Sequence, residues 1–386
     1  MDLLTRDMLA QLGTGVQANV DAIKAEAKTL KISLRNLLKD NGFADFGLNS
    51  PDKFVGFNKI NQIFEKVTDL SPLSFIQNLE ELKCPFQQVK DISPLAQLPN
   101  LKRLHFNNNQ IGDISAINKL QHLESLHLTH NLVTEVKIEN LQHLQHLNLS
   151  NNQIHTLIIS NCPNLKELNF GNNPIKNLQL ENLPALQKLE ADKCGLKSLN
   201  LNPLQQLQYL SCADNQIEKL DFANNQLLEH LNCANNHLLG LNFEHITRLS
   251  FLNCSQNELK QIDLSPLPNL QILYCGYNKI AHLNANPCPL IHSLHCERNY
   301  MEKLEFDQLT LLRNLYCQDN KIDTLNIPAS EVWENLDMHN NPIENMVLRH
   351  FLKLPIITCN RGQVSDVSIS IARRNKEITK INMLNR

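Results

Sequence analysis

Glycine and charged residues are the two classes that this sequence uses sparingly. Glycine accounts for 11 of 386 residues, about 3% where roughly 7% is usual, which argues against Gly-rich phosphate loops, collagen-like repeats and flexible linkers. Charged residues make up 19% of the chain, below the usual quarter. The formal net charge is −3, so there is no basic excess that would predict binding to nucleic acid or to an anionic membrane.

Long apolar runs are also missing from the sequence. No stretch reaches the 18 consecutive apolar residues that typically indicate a membrane-spanning helix, so we expect no membrane insertion. The first residues, which include Asp2 and Asp7, lack the basic region and apolar core of a secretory signal peptide. We therefore predict a cytoplasmic location in the producing cell.

One frame, Leu-x-x-Leu-x-apolar-x-x-Asn-x-Ile, recurs through most of the chain, at a step of 22 and then of 21 residues. Repeats of this length are typical of solenoids. The fourteen frames begin at Leu79, Leu101, Leu123, Leu144, Leu165, Leu186, Leu207, Leu228, Leu249, Leu270, Ile291, Leu312, Trp333 and Leu354. A degenerate fifteenth frame precedes them at Phe57.

Each frame predicts one coil of a stacked structure. Apolar residues alternate for a few positions, as in LHFNNN at 104–109, which is typical of a short strand. Two further apolar sets follow, so each coil points three sets of side chains inward and cannot bury them alone. Stacking buries them in a continuous core, and the strands then pair as a parallel sheet. The fold class is therefore an α/β repeat solenoid.

These frames resemble the leucine-rich repeat family, and the match covers roughly 300 of the 386 residues. The resemblance implies a curved horseshoe with its parallel sheet on the concave side. Ser71-Pro72 and Ser93-Pro94 place Ser before Pro, a pattern in which Ser caps a helix. These early repeats look like those of the internalins, and like the leucine-rich regulatory subunit of protein phosphatase 1. From about Val133 the back segments suit an extended conformation instead.

Both ends of a solenoid need covering, because a terminal coil exposes its core. Residues 1–56 contain two segments with helical spacing and are predicted to form a helical N-terminal cap. Residues 57–371 form the solenoid, and residues 372–386 form a C-terminal cap or tail.

The eleven cysteines are predicted to be core residues. Eight of them occupy the inward strand position that other repeats fill with Phe, Leu, Ala or Met, where cysteine acts as a small buried hydrophobe. The eight are Cys84, Cys212, Cys233, Cys254, Cys275, Cys296, Cys317 and Cys359. No cysteine pairs have metal-ligand spacing, and an inward thiol is a poor nucleophile. A stack of free thiols favours a reducing compartment.

A second group of polar residues marks the early repeats. His105 and His127 occupy the same outward column on adjacent coils, His146 lies on the next coil, and Arg103 shares their surface. Three imidazoles are a possible zinc site, but no carboxylate is placed to orient them. We therefore predict no metal, and interpret the four residues as a secondary partner-binding cluster.

The outward columns of the later repeats are unusually aromatic. Nothing in the solenoid requires aromatic side chains that face outward, and exposed apolar patches commonly mark interaction sites. The predicted partner-binding residues are Tyr209, His230, Phe251, Ile272, Tyr274, Tyr277, His295 and Tyr316.

These observations predict a non-catalytic, monomeric scaffold that binds a protein partner on its concave face and needs no cofactor. No triad, paired-carboxylate or phosphate-loop signature stands out. The long array, rich in Asn, Gln, His and Lys, resembles leucine-rich proteins of intracellular bacterial pathogens, several of which are injected effectors that bind host proteins. Leu384, third from the end, is similar to some type IV secretion signals. The alternatives are a phosphatase-type regulatory subunit and an internalin-like surface adhesin.

Overall fold

The structure, a computed structural model, describes residues 59–60, 67–71, 73, 77, 79–328, 332–343, 354–360 and 378–384. The predicted helical cap, residues 1–56, lies outside these residues. Two compact units divide the chain. Unit 1 lies within residues 1–169 and 173–183, and unit 2 lies within residues 170–172 and 184–386.

Unit 1 consists of stacked coils that each contribute one short strand to a parallel sheet. Its strands are β1 (Lys59–Ile60), β2 (Glu81–Lys83), β3 (Arg103–His105), β4 (Ser125–His127), β6 (His146–Asn148) and β8 (Glu167–Asn169). The back segments of the later coils form a second parallel sheet of β5 (Glu135–Glu139), β7 (Thr156–Ser160) and β9 (Asn177–Glu181). The extended back segments predicted from Val133 onward are therefore confirmed in this unit.

Unit 2 repeats the same arrangement over more coils. Its main parallel sheet contains β10 (Lys188–Glu190), β11 (Tyr209–Ser211), β12 (His230–Asn232), β13 (Phe251–Asn253), β14 (Ile272–Tyr274), β16 (Ser293–His295), β18 (Asn314–Tyr316), β19 (Asn335–Asp337), β20 (Leu354–Asn360) and β21 (Ile378–Leu384). A two-stranded back sheet contains β15 (His282–Asn284) and β17 (Lys303–Glu305). The predicted solenoid of stacked coils with parallel strands is confirmed.

Equivalent positions of successive frames pair directly in these sheets. Tyr209 lies opposite His230, and His230 lies opposite Phe251, each 21 residues further along the chain. The register follows from the constant step, because only this pairing keeps the leucine of every strand inside. The cores are built from these leucines and from larger side chains such as Phe106, Phe170, Phe243 and Phe306, all fully buried.

An inward-facing asparagine joins each coil to the one before it. In Asn257, Nδ2 donates to the carbonyl oxygen of Cys254 in its own coil (3.1 Å) and to that of Cys233 in the preceding coil (3.0 Å), while Oδ1 accepts the N–H of Leu238 (3.0 Å). The amide thereby satisfies backbone groups that the turn would otherwise leave unpaired. The asparagines with this role are Asn109, Asn131, Asn152, Asn173, Asn215, Asn236, Asn257, Asn278, Asn299, Asn320 and Asn341.

Two positions use other side chains in the asparagine column. Gln87 accepts the N–H of Val67 through Oε1 at 3.0 Å. Cys194 is fully buried, and its thiol donates to the carbonyl oxygens of Phe170 and Asp192, both at 3.4 Å. A thiol is a weak donor, yet it reaches two of the backbone groups that an asparagine amide would bind.

Helical structure in the described residues is confined to single turns of 3-10 type. Two such helices span Ser93–Gln97 and Ser115–Lys119. The predicted cap by Ser93 is wrong: Ser93 lies inside the helix, and its N–H donates to Oδ1 of Asp91 at 2.7 Å. The Ser93 hydroxyl also donates to Oδ2 of Asp91 at 3.0 Å, a charge-assisted bond that holds it against Asp91 instead of the N–H groups of the first turn. Within the described part of the chain, no helix is long and apolar enough to cross a bilayer.

Candidate functional site

The residues that flank the central leucine of each strand point away from the core. We call these side chains the strand face, and describe it separately for each unit. In β12, for example, Leu231 is fully buried while His230 and Asn232 are half-buried. The alternation follows from the period of two in a strand.

Six aromatic or imidazole rings form a continuous row on the strand face of unit 2. Tyr209 stacks on His230 (ring centroids 4.2 Å apart), and His230 stacks on Phe251 (4.0 Å). Phe251 contacts Tyr274 at 5.8 Å with a 47° tilt. Two further stacked pairs complete the row: Tyr274 with His295 at 4.3 Å, and His295 with Tyr316 at 4.4 Å. We call these six rings the ring ladder.

The ladder follows directly from the register of the strands. Rings at one frame position recur about 4.8 Å apart, a spacing suited to offset stacking. The row changes column between Phe251 and Tyr274, because Tyr274 pairs with Asn253 rather than with Phe251. This change explains the longer distance and the tilt at that step. Ile272, another predicted residue, is half-buried and lies opposite Phe251, at the position where a ring of the same column would stand.

The ladder carries little charge near neutral pH. Burial lowers the pKa of His295 to about 4, and it lowers that of His230 as well. Burial raises the pKa of Tyr209 and of Tyr316. The imidazoles are therefore neutral and the phenols protonated, so the ladder is a stack of neutral rings. The Lys188 ammonium lies 5.1 Å from the centroid of the Tyr209 ring and adds one cation at the end.

The remaining predicted residue, Tyr277, lies at the turn that leaves β14 and does not join the ladder. Its backbone is left-handed (φ 57°), and 42% of its surface is exposed. The guanidinium carbon of Arg298 lies 5.0 Å from its ring centroid, and Nε of Arg298 donates to Oδ2 of Asp319 at 3.1 Å. The turn thus holds an arginine between an aromatic ring and a carboxylate.

Two polar side chains beside the ladder were not predicted from the sequence. Glu297 and Gln318 occupy equivalent positions on adjacent coils. Oε2 of Glu297 and Oε1 of Gln318 are shielded from solvent and have no hydrogen-bond partner among the described residues. The carboxyl of Glu297 lies over Gly276, where an added Cβ would come within 2.7 Å of it. A glycine followed 21 residues later by a glutamate is the sequence signal that identifies this placement.

The secondary cluster lies on the strand face of unit 1. His105 and His127 stack with ring centroids 4.6 Å apart, and burial lowers the pKa of His105 to about 4. Arg103 bonds Glu81 at 3.0 Å and Glu124 at 3.3 Å. The structure therefore brings Arg103, His105 and His127 onto adjacent strands.

His146, the fourth predicted member, lies on β6 opposite Ser125. Its Nδ1 lies 3.4 Å from Oε2 of Glu167, so a carboxylate that the sequence did not indicate does contact one imidazole. Among the described residues, no group of three or more His, Cys, Asp or Glu side chains is placed to hold a metal ion.

All eleven cysteines are free and buried, as predicted for core residues. Burial raises the pKa of Cys254 to about 12 and that of Cys359 to about 11. Because the thiolate is the nucleophilic form, none of these groups is activated for chemistry. The cysteine column serves the core.

Part of the sequence matches a known family model, and the fold matches solved structures. A model described as "Leucine Rich repeats (2 copies)" matches residues 99–143 and 142–185. No protein of curated function matches the sequence. The functional domain of InlJ from Listeria monocytogenes, which includes a cysteine ladder, shares the fold with a TM-score of 0.62 and 22% identity, covering 80% of this chain and 69% of that one.

Two further structures share the fold. An internalin from Listeria monocytogenes, InlF, matches with a TM-score of 0.54 and 22% identity over 76% of this chain and 90% of that one. A chain of the Drosophila Toll–Spatzle complex matches with a TM-score of 0.57 and 18% identity over 77% and 48%. The chain is therefore similar to leucine-rich repeat proteins over residues 99–185 and shares the fold of the internalins.

Proposed function

We propose that this protein is a non-catalytic scaffold that binds a partner protein on the strand face of unit 2. The ring ladder is the observation that carries the proposal. It presents six rings along roughly 24 Å, five steps of strand spacing, on a surface that the fold itself does not need to be aromatic. Rigid rings lose little conformational entropy on binding and are favoured at the centres of interfaces.

The predicted residues contribute in different ways. Ile272 widens the apolar surface, and Tyr277 extends it at the turn. The ladder rings are supplied by Tyr209, His230, Phe251, Tyr274, His295 and Tyr316. The cluster of Arg103, His105, His127 and His146 is a secondary binding area on unit 1. The proposal has support from other chains with this fold, since one of them takes part in the Toll–Spatzle complex.

The proposed partner is a host protein, and the chain is a bacterial effector that reaches the host cytosol. The resemblance of the array to repeat proteins of intracellular pathogens motivates this part of the proposal. A surface adhesin is the second candidate, favoured by the likeness to InlJ and InlF. Detection of the protein at the surface of intact producing cells would support the adhesin and contradict the effector.

The test compares three forms of the protein as bait in eukaryotic and bacterial lysates. The first is the native chain. The second carries Tyr209→Ser, Phe251→Ser, Tyr274→Ser and Tyr316→Ser. The third is a matched control with Leu239→Ser, Leu290→Ser, Tyr300→Ser and Leu311→Ser, which changes four exposed apolar residues away from the strand face. Circular dichroism and thermal melting establish that each form is folded.

We expect a eukaryotic protein that the native and control forms capture and that the ladder variant loses. Equal capture by all three forms would contradict binding at the ladder. Capture from the bacterial lysate alone would leave the scaffold in place and exclude the host-directed role.

A further inference from the structure

The ring ladder ends beside the two polar side chains that lack partners. Glu297 directly follows Cys296 and so lies just past the strand end that bears His295, and Gln318 stands in the same relation to Tyr316. Being one coil apart, the two are separated by about one strand spacing, roughly 4.8 Å. Their shielded oxygens, Oε2 of Glu297 and Oε1 of Gln318, are both acceptors. Two unpaired acceptors therefore adjoin three of the ladder rings.

The carboxyl of Glu297 is only partly compensated by its surroundings. Burial raises its pKa, while a hydrogen bond from its own backbone and the charge of Arg298 lower it and the charge of Asp337 raises it again. The neighbouring cation, Arg298, is already engaged with Tyr277 and Asp319. Because an unpaired acceptor in a poorly solvated site is unfavourable, a cation from outside the chain would stabilise it.

The side chains can present these oxygens to a ligand. Glu297 and Gln318 are each only partly buried, and the last torsion of such side chains rotates over a broad range. Asp337 on β19 supplies a second carboxylate on the same side, although it is bonded to His339 at 2.6 Å.

We propose that Tyr274, His295 and Tyr316, together with Glu297, Gln318 and Asp337, form a subsite for an arginine side chain of the partner. The inference rests on the proposed function and names the residue type that the scaffold recognises. A guanidinium is planar and can stack on the face of Tyr316 that His295 does not cover, on the side where Asp337 is the neighbour in the sheet. Its five N–H donors match two neighbouring acceptors, whereas a lysine ammonium is a compact, strongly hydrated point charge.

The protein itself shows this mode of recognition one turn away. Arg298 stacks over Tyr277 and donates to Asp319, so ring, guanidinium and carboxylate already combine on a neighbouring surface of unit 2. The proposed subsite offers the same chemical groups, a tyrosine ring and carboxylates, to an arginine of the partner.

The test measures binding of three small probes to the full chain by saturation-transfer NMR. The probes are N-acetyl-argininamide, the corresponding lysine compound, and the citrulline compound, which is a neutral isostere of arginine. We expect the arginine probe to bind best. Glu297→Gln should weaken it about tenfold, as expected for the loss of a charged hydrogen bond. Glu302→Gln removes the same charge from an exposed position before β17 and should leave the affinity unchanged.

Tyr316→Leu provides a second variant that removes a ring and keeps the carboxylate, and it too should weaken the arginine probe. Equal affinity for the arginine and citrulline probes, or an unchanged affinity in Glu297→Gln, would overturn the subsite. Equal affinity for lysine would overturn recognition of a planar group. If the arginine probe does not bind but the ladder variant still loses the partner, the subsite is wrong and the proposed function stands. If the probe binds but the ladder variant keeps the partner, the proposed function is wrong and the subsite stands.

Discussion

Among single residues, the histidines of the strand face differ most from their ordinary chemistry. His295 lies between Tyr274 and Tyr316, with ring centroids 4.3 and 4.4 Å away, and its Nε2 lies 3.1 Å from the hydroxyl of Ser293. Burial between two rings lowers its pKa from 6.5 to about 4. The imidazole consequently acts as one more neutral ring between the two tyrosines.

This shift predicts how stability depends on pH. Because the pKa of His295 is lower in the folded than in the unfolded protein, its neutral form favours folding. The contribution is fully present above about pH 6.5 and is lost as the pH falls toward about 4. His295→Phe keeps the ring and removes the titration. We expect the variant to lose less free energy of unfolding than the native chain between pH 7.5 and pH 5, measured by urea denaturation. Parallel losses in the two proteins would contradict the assignment.

The sequence alone predicts the positions of these side chains but not their contacts. The constant frame assigns His230, Phe251 and Tyr274 to outward columns, because the register of stacked coils depends only on the step. Whether neighbouring rings touch depends on rotamers, which respond to packing on both sides. The partnerless oxygens of Glu297 and Gln318 were not predicted for the same reason, although the spacing of Gly276 and Glu297 indicates where the Glu297 carboxyl lies.

At the scale of the coil, the inward asparagine is the main link between neighbouring elements. The three-residue strands form few bonds of their own, and each asparagine adds bonds to two coils. The sequence predicted this role well, because a polar residue repeated inside an apolar coil must find backbone partners. It placed the helix start at Ser93 correctly but not the capping role, since the Ser93 hydroxyl donates to Asp91 instead of accepting an N–H of the helix.

Removing one such link tests its contribution. Asn257→Ala leaves the N–H of Leu238 and the carbonyl oxygens of Cys233 and Cys254 without their side-chain partner. We expect the free energy of unfolding to fall by about 2–3 kcal/mol, since unsatisfied buried groups are unfavourable. Asn224→Ala, at an exposed turn of the same unit, is the matched control and should change it by less than about 0.5 kcal/mol. Equal effects in urea denaturation would show that the inward amides do not stabilise the coils.

For the molecule as a whole, stability is expected to be a sum over coils and their interfaces. The coils of unit 2 place equivalent residues at the same inward positions. Folding should therefore depend on the alignment of these positions more than on the order of the coils. Deleting one complete frame should therefore preserve the fold, while deleting part of a frame should destroy the register.

Two deletions within unit 2 distinguish these cases. Removal of residues 237–257 joins Asn236 to Glu258 and keeps every column continuous. We expect a native-like circular dichroism spectrum and a cooperative melt within about 10 °C of the native chain. Removal of residues 237–246 shifts all later columns and should give an aggregating protein without a cooperative melt. If the shorter deletion folds as well as the longer one, the register does not govern assembly.

The inward asparagines and the outward rings occupy different positions of the repeated frame, and this affects how the protein can evolve. A duplication of twenty-one codons inserts one coil, with its leucines, its cysteine or equivalent, and its amide, and disturbs nothing already in place. Point mutations in the outward columns can then change the strand face one coil at a time, while the inward leucines and asparagines that hold the coils together stay unchanged.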